Sequence, residues 1–469
     1  SAAGHLASGP GVGSSGGGAS ELQAPAQVAT GSLHTCAILG DRKPRCWGAA
    51  EHGQLGEGVG LLGPWSVHAV PEKPLEFLAT SVATGEWHTC IIVEGPWGAE
   101  GGEVRCWGDN TYGQRGAFAT PPPYWKKGLS WLSSWIIRER PPAASALRPV
   151  DLGAGNVAVA LTAGDDHTCV ILAGGAVKCW GRGLHGRLGL EHDGSDVGVR
   201  PEQMGGALGT VSLGTGRTAK AISAGAAHTC AVLDDGGVKC WGAGEDGRLG
   251  LGSRKNVGLA RGSMGDGLLY VNLGEGRRAT SVAAGGEHTC ALLDDGGVKC
   301  WGLGTSGQLG QGRSECVGDA TSRSVGNSPA VDLGGNGKAK AKAISVGYDY
   351  SCAILKVGNA IKCWGSNLEG ALGFFHESET YVGDRPSRTG DALRTAELGG
   401  KQARFIATGF GHTCAVLGDN RELKCWGLNS YGQLGYGSAE VRLTLPDISY
   451  QGLDLRIKVR SPWSRGAAE

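Results

Sequence analysis

The sequence lacks several features that would each have narrowed its function at once. No run of eighteen or more apolar residues occurs among its 469 residues, so no membrane-spanning helix is expected. Lys and Arg number 44, as do Asp and Glu, and no long basic tail is present, so charge gives no support for nucleic-acid binding. No Asn-x-Ser/Thr acceptor occurs, and N-glycosylation is not expected. The first residue is Ser, which fits a processed N-terminus and a recombinant one equally.

Glycine, by contrast, is abundant at 86 residues and recurs inside a repeated unit without a collagen-like period. Each unit reads Gly-x-x-His-Thr-Cys, an apolar stretch, a second Cys with Trp-Gly, and a loop of the type Gly-Gln-Leu-Gly; the sixth carries Tyr350 and Ser351 instead of His and Thr. The seven copies begin at Gly31, Gly85, Gly164, Gly225, Gly285, Gly347 and Gly409. A period of about sixty residues holds four short strands with their turns, which predicts a repeat architecture.

The two cysteines of each unit flank a predicted β-hairpin. In the fourth unit, CAVLDDGGVKC, the Asp-Asp-Gly-Gly turn places Cys230 opposite Cys240, at a separation compatible with a disulfide. The hairpin tip changes length between units while both cysteines are retained, as expected for residues paired across a ladder. Cys316 is left as a free thiol or an intermolecular link. The predicted pairs are Cys36–Cys46, Cys90–Cys106, Cys169–Cys179, Cys230–Cys240, Cys290–Cys300, Cys352–Cys363 and Cys414–Cys425.

Two other interpretations of these cysteines compete with disulfides. A zinc site built from each His and its Cys pair would have three protein ligands, whereas structural zinc takes four, so no metal site is predicted. Buried free thiols in a reducing compartment are the second alternative. The disulfide interpretation implies an oxidising compartment, and the protein is therefore expected to be extracytoplasmic: secreted, periplasmic or in an organelle lumen.

This order of motifs resembles the repeat of the regulator of chromosome condensation (RCC1) family, over about residues 27–456. The resemblance implies an all-β, seven-bladed β-propeller with one four-stranded sheet per blade. The paired cysteines depart from the intracellular members of the family and add one disulfide hairpin to each blade. Residues 1–26 are then a Gly/Ser/Ala-rich segment, residues 457–469 a C-terminal tail, and residues 117–146 a Trp-rich insertion. Because the first copy lacks a preceding Leu-Gly strand, we expect the C-terminal segment to complete a blade together with N-terminal residues.

The positions that differ between copies are the expected functional ones, because the repeated Gly, His, Thr and Trp are expected to maintain the fold. The two residues between the repeat's Gly and His form one such set. The resemblance implies that these positions form a ring on one face of the propeller. The set has five acids, three aromatic residues and no base, including Trp87, Asp165, Asp166, Tyr348 and Phe410. Acids mixed with aromatics suit contacts with a protein or a basic ligand, whereas a solvated rim is the plainer interpretation.

The insertion after the second unit is the other variable place. Its apolar residues, Trp135 and Ile136 among them, recur at helical spacing between prolines, which predicts a short helix. Six Lys or Arg against one Glu give residues 115–148 a local charge of +5. We expect Trp125, Trp131, Trp135 and Ile136 to bind a partner; docking on the propeller itself and peripheral contact with a membrane surface are the alternatives.

Together these features favour a non-enzymatic protein-binding or scaffold propeller, as an accessory subunit of a larger extracytoplasmic or lumenal assembly. No unit joins its His to a repeated Asp or Ser as in a catalytic triad, so no catalytic residue and no cofactor is predicted. The partner is expected to be a protein and not a nucleic acid. The resemblance also implies two alternatives: a guanine-nucleotide exchange factor for a small GTPase, which an oxidising compartment disfavours, and a secreted enzyme inhibitor.

Overall fold

The computed structural model describes residues 27–56, 75–95, 101–117, 148–374, 380–418, 422–436 and 453–454. These residues form seven antiparallel sheets of three or four strands, each built from one repeat. The all-β propeller expected from the repeats is therefore confirmed. In these stretches of the chain, no helix is both long enough and apolar enough to cross a membrane.

Each repeat contributes a first, a second and a third strand, in that order along the chain and across the sheet. Blades six and seven also have a short fourth strand. From blade one to blade seven, the strands are β1 (Gln27–Thr30), β2 (His34–Ile38), β3 (Pro44–Gly48); β4 (Ala79–Thr84), β5 (His88–Val93), β6 (Glu103–Gly108); β7 (Ala158–Ala163), β8 (His167–Leu172), β9 (Val177–Gly181); β10 (Ala219–Ala224), β11 (His228–Leu233), β12 (Val238–Gly242); β13 (Ala279–Ala284), β14 (His288–Leu293), β15 (Val298–Gly302); β16 (Ala341–Val346), β17 (Tyr350–Leu355), β18 (Ile361–Ser366), β19 (Tyr381–Val382); β20 (Ala403–Thr408), β21 (His412–Leu417), β22 (Glu422–Gly427) and β23 (Leu453–Asp454).

The hairpin between second and third strands has the predicted register. In blade four, Cys230 lies directly opposite Cys240, and Gly236 takes the positive φ of +81° that the tight tip between β11 and β12 requires. All seven predicted disulfides are formed, with Cα–Cα distances of 4.0–4.1 Å. Cys316 is free and partly buried. Tips of different length leave the ladder unchanged, which explains why the spacing of the cysteines varies.

In blades three to five, the fourth position of the sheet consists of isolated bridges and not of the expected fourth strand. In blade three the connecting segment touches the third strand at both ends, through the bridges Gly181–Val197 and Val177–Val211, and leaves the sheet between them. Blades four and five repeat the first of these bridges. In these blades, isolated backbone pairs therefore join the connecting segment to the outer edge of the third strand.

The first strands line the axis of the ring, and β1 contacts both β4 and β20, so the ring closes between blades one and seven. The expectation that the C-terminal segment joins N-terminal residues in one blade was wrong. Leu453 and Asp454 pair with Leu423 and Glu422 of β22, so they complete the outer edge of blade seven. The N-terminal strand β1 is the inner strand of blade one and pairs with β2, not with Leu453 or Asp454.

Candidate functional site

The repeated histidines form a ring of hydrogen bonds between blades. In six blades the imidazole Nε2 lies 2.8–2.9 Å from the Thr or Ser hydroxyl of the next blade, and His412 reaches Thr35 to close the ring. In blade six, the Tyr350 hydroxyl replaces the imidazole, donates to the backbone carbonyl of His412 and lies 3.0 Å from the Thr413 hydroxyl. The exception to the motif thus preserves the contact.

The Trp and Thr of each repeat share one acceptor on the preceding blade. In blade four, the Thr229 hydroxyl and the Trp241 indole both donate to the backbone carbonyl of Arg187, at 3.0 and 3.1 Å. The same pair of bonds recurs at all seven junctions. The accepting carbonyls belong to Gln433, Gln54, Gln114, Arg187, Arg248, Gln308 and Ala371.

This geometry fixes which imidazole nitrogen carries a hydrogen. Because each Thr or Ser hydroxyl gives its only proton to a carbonyl, it must accept from the imidazole, so Nε2 bears a hydrogen. Burial lowers the pKa of His412 to about 3 and that of His88 to about 4. These side chains are consequently structural, and they are unsuited to acid–base chemistry near neutral pH.

The variable residue pairs lie together, as the repeats predict. Each pair sits in the loop joining a first strand to a second strand, so all seven loops emerge at the same end of the ring; we call these seven pairs the rim. Backbone bonds join neighbouring loops: the Glu86 N–H donates to the Asp165 carbonyl at 3.1 Å, and the Gly286 N–H donates to the Tyr348 carbonyl at 3.1 Å. The hairpin tips lie at the opposite end of the blades.

The carboxylates of the rim fall into two groups. Asp166 is paired with Arg182 at 3.0 Å, and Glu287 lies 3.4 Å from Arg248. Glu86 and Asp165 have no cation within ion-pair distance among the residues that the structure describes. Burial, together with the charges of Asp165 and Asp166, raises the pKa of Glu86 to about 7, and burial likewise raises the pKa of Asp165.

Aromatic side chains flank these carboxylates. The rings of Tyr348 and Phe410 meet at 4.8 Å with a 45° tilt, and they remain 38% and 45% exposed. Trp87 packs against His52 at 4.8 Å. Burial and the carboxylates of Glu287, Asp165 and Glu86 raise the pKa of Tyr348, so its hydroxyl lies within electrostatic reach of three other blades. Acidic and aromatic residues from five of the seven blades therefore lie on the rim.

Sequence reasoning missed the bases beneath the rim. The rim pairs contain none, but Arg187 and Arg248 enter from the loops that follow Trp-Gly, and their guanidinium groups bond the carbonyls of Ala226 and Gly286. A signal was present: residues 186–189 and 247–250 read GRLG where other copies read GQLG. The backbone carbonyl at this position makes the junction in every repeat, whether the side chain is Gln or Arg.

The structure describes only some of the predicted contact residues. Trp125, Trp131, Trp135 and Ile136 fall outside the described residues. Trp87, Asp165, Asp166, Tyr348 and Phe410 all lie on the rim, where their role in binding stays a prediction. Burial raises the pKa of the Cys316 thiol. No group of three His, Cys, Asp or Glu side chains suited to a metal occurs in the described part of the chain.

Replacing Glu86 by Gln is expected to stabilise the protein at alkaline pH. Because the folded pKa is raised to about 7 from 4.5, the folded state binds the proton more tightly, and stability is lost as pH rises through this window. Allowing for solvent screening of a partly exposed group, we expect Glu86→Gln to gain about 1–2 kcal/mol at pH 8 and almost nothing at pH 4.

Urea unfolding midpoints of both proteins at pH 4 and pH 8 measure this difference. Glu202→Gln, at an exposed turn, is the control for removing a negative charge. The expectation would be contradicted if the difference in urea midpoint between Glu86→Gln and the unmodified protein were the same at both pH values.

The comparisons with known proteins agree with this architecture. Models of the "Regulator of chromosome condensation (RCC1) repeat" match residues 158–187, 219–248, 279–308 and 404–433, and residues 235–292. The chain is similar to the ultraviolet-B receptor UVR8 of Arabidopsis thaliana, with 30% identity over 284 residues, which are 60% of this chain and 56% of the receptor. It is 31% identical over 285 residues to the human E3 ubiquitin-protein ligase HERC2, where the match is 60% of this chain but 5% of the ligase.

Two solved structures share the fold. Human WBSCR16 superposes with a TM-score of 0.60 at 18% identity, covering 84% of this chain and 87% of that protein. Prp20p of Saccharomyces cerevisiae gives 0.60 at 21% identity, covering 84% and 82%, and that structure is described together with its binding to Gsp1p and histones. The match spans about half the length of the plant receptor and a small part of the ligase.

Proposed function

Because the chain belongs to the RCC1-like repeat family, we propose that it is a non-enzymatic binding propeller that docks a protein partner on the rim. One observation carries this proposal: the rim combines exposed Tyr348 and Phe410 with the carboxylates of Glu86 and Asp165, which lack an ion-pair partner among the described residues. Aromatic side chains are enriched at interface centres, and charged groups around them favour a partner of opposite charge.

The chemistry of the rim indicates what kind of partner would bind. Burial is the main cause of the raised pKa of Glu86, and the nearby charges of Asp165 and Asp166 add to it, so a cation bound between Glu86 and Asp165 would stabilise both carboxylates. The Tyr348 and Phe410 rings offer flat faces beside which a Lys or Arg stem could pack. The proposed partner is therefore a protein that presents a basic side chain within an apolar surround.

The disulfides support a proposal about the compartment. Seven buried pairs are expected to form and persist where thiols are oxidised, so we place the protein outside the cytosol. A rigid disulfide-linked ring with a binding rim suits an accessory subunit of a larger assembly. The same reasoning disfavours an exchange factor for a small GTPase, since such GTPases work where thiols are reduced. The Trp-rich insertion, with Trp125 and Trp131, is proposed as a second contact.

Site-specific photo-crosslinking can identify the partner. A photoreactive amino acid at position 348 is expected to capture one protein from the native compartment. The control is the same group at Val357, which is 87% exposed at the hairpin tip of the same blade, at the end opposite the rim. Equal capture from both positions would contradict binding at the rim.

The affinity for the captured partner gives a quantitative prediction. We expect Glu86→Gln/Asp165→Asn to weaken binding about 10-fold or more, because a charge-assisted contact contributes about 1.5–3 kcal/mol. Titration calorimetry at two salt concentrations measures the change, and the salt dependence should fall together with the affinity. Unchanged affinity and salt dependence in the double variant would rule out the carboxylates as the contact.

A further inference from the structure

The hairpins of blades four and five are identical in sequence yet differ in what covers them. Residues 233–242 and 293–302 both read LDDGGVKCWG. In each, the third strand carries a buried lysine, Lys239 or Lys299, whose ammonium donates to two backbone carbonyls. Two repeats with the same local chemistry therefore allow a direct comparison of their surroundings.

In blade four, a tyrosine covers this site. The Tyr270 ring lies 4.8 Å from the Lys239 ammonium, and its hydroxyl donates to the Asp235 carboxylate at 3.0 Å. The ring also lies flat against Gly237, where an added Cβ would come within 2.4 Å of it. In blade four, an ammonium, a carboxylate and a glycine thus hold a phenol ring.

In blade five, the equivalent residue is alanine. Tyr270 directly precedes Val271, which bonds Val238, and Ala330 directly precedes Val331, which bonds Val298 in the same register. The atoms nearest to the Cβ position of Gly297 belong to Asp295 and not to an aromatic ring.

Where the tyrosine ring lies in blade four, blade five has a cavity of 280 Å³. Its lining includes Leu273, Leu293, Gly297, Lys299 and Ala330. This volume is slightly below the range of about 300–1,000 Å³ for drug-sized ligands and suits a single ring.

The charges around the cavity complete the comparison. Asp295 is bound by Arg277 at 2.6 Å and by Lys340 at 3.1 Å, so Lys340 makes the contact with the carboxylate that the Tyr270 hydroxyl makes in blade four. A phenol oxygen can accept from Lys340 while donating to Asp295. The Lys299 ammonium donates two of its three protons to backbone carbonyls, and Lys299 lines the cavity.

We propose that this cavity binds a phenolic ring, held between the Lys299 ammonium, the Asp295 carboxylate and the bare backbone of Gly297, as Tyr270 is held in blade four. The ring is supplied either by a tyrosine side chain of a protein or by a free phenol. The site lies at the hairpin-tip end of blade five, away from the rim, and does not depend on the function proposed for the rim.

The test uses p-cresol, the side chain of tyrosine as a free molecule, followed by NMR titration of the whole protein. The unmodified protein should bind one equivalent, and Ala330→Tyr, which copies blade four, should weaken binding about 10-fold or more while keeping the melting temperature. Conversely, Tyr270→Ala should open the equivalent site and bind two equivalents. Unchanged affinity in Ala330→Tyr, or binding of only one equivalent by Tyr270→Ala, overturns the proposal.

Two further probes resolve the chemistry and its source. Toluene, which lacks the hydroxyl, should bind several-fold more weakly than p-cresol; equal binding would overturn the role of Asp295. A peptide amide carrying one tyrosine should bind at the same site if the ring comes from a protein. If p-cresol binds and the peptide does not, the site is supported and its ligand is a free phenol.

Discussion

Reduction of the seven disulfides is expected to lower the stability of the propeller more than any single substitution. Each bond closes a loop with a cysteine separation of 10–16 residues, for which the chain-entropy model gives about 3 kcal/mol. The sulfur atoms are buried between blades, with exposed fractions of 0–3%, so reduction should also be slow until the ring opens. We therefore expect the urea midpoint to fall sharply when the protein is reduced under denaturing conditions and refolded with its thiols blocked.

Intact mass after alkylation is the measurement that checks the premise. The native protein should take one label, at Cys316, and fifteen labels after reduction in denaturant. Fifteen labels on freshly isolated native protein would contradict both the disulfides and the extracytoplasmic location.

Single pairs allow a finer test of the same physics. Because loop entropy grows only with the logarithm of length, Cys90→Ala/Cys106→Ala should cost only a few tenths of a kcal/mol more than Cys230→Ala/Cys240→Ala. The matched control is Cys316→Ala, where a change of at most about 0.5 kcal/mol is expected. A large difference between the two pairs would show that packing around the sulfurs, and not the chain constraint, dominates.

The local structure of each repeat was predictable because it depends on neighbours in the sequence. The turn of four residues and the spacing of ten between Cys230 and Cys240 determine which residues face each other, and the structure confirms that register. The tolerance of longer tips, as between Cys90 and Cys106, follows from the same ladder. The grouping of the variable residues was predictable too, since equivalent positions of a closed ring lie at one end.

What escaped prediction depends on contacts between blades. The carboxylates of Asp165 and Glu86 contribute to the raised pKa of Tyr348, although they lie three and four blades away along the chain. Only closure of the ring brings these residues together. The backbone carbonyl of Arg187 makes the contact between blades that every repeat makes, and its guanidinium group bonds the Ala226 carbonyl at the rim. The sequence pattern treats such a position as a variant of the loop and says nothing about where the side chain points.

The error about the C-terminus has the same origin. A repeat that begins abruptly looks as though it needs a strand from the far end of the chain. In the structure the unpaired edge is the outer side of β22, and Leu453 and Asp454 cover it. Whether a terminal strand is inner or outer depends on the order of strands across the blade, which the repeat spacing alone does not reveal.

The second large effect is expected from a single methyl group at the inner junction of two blades. Gly225 does not need a positive φ, but an added Cβ would lie 2.3 Å from the Gly285 carbonyl oxygen and 2.5 Å from the His228 ring. Both contacts are with parts of the closed ring that cannot move alone, because every blade is bonded on both sides. We expect Gly225→Ala to cost more than about 3 kcal/mol, above the usual range for overpacking.

Gly174 provides the matched control, since a Cβ there meets nothing within 4 Å and its φ is ordinary for any residue. Gly174→Ala should leave the urea midpoint unchanged or raise it slightly, because alanine reduces the freedom of the unfolded chain. The two variants add the same atom, so their difference in midpoint isolates the steric term from composition. A Gly225→Ala protein as stable as Gly174→Ala would mean that the blades can move apart, and the ring would then have to be flexible enough for its rim to change shape on binding.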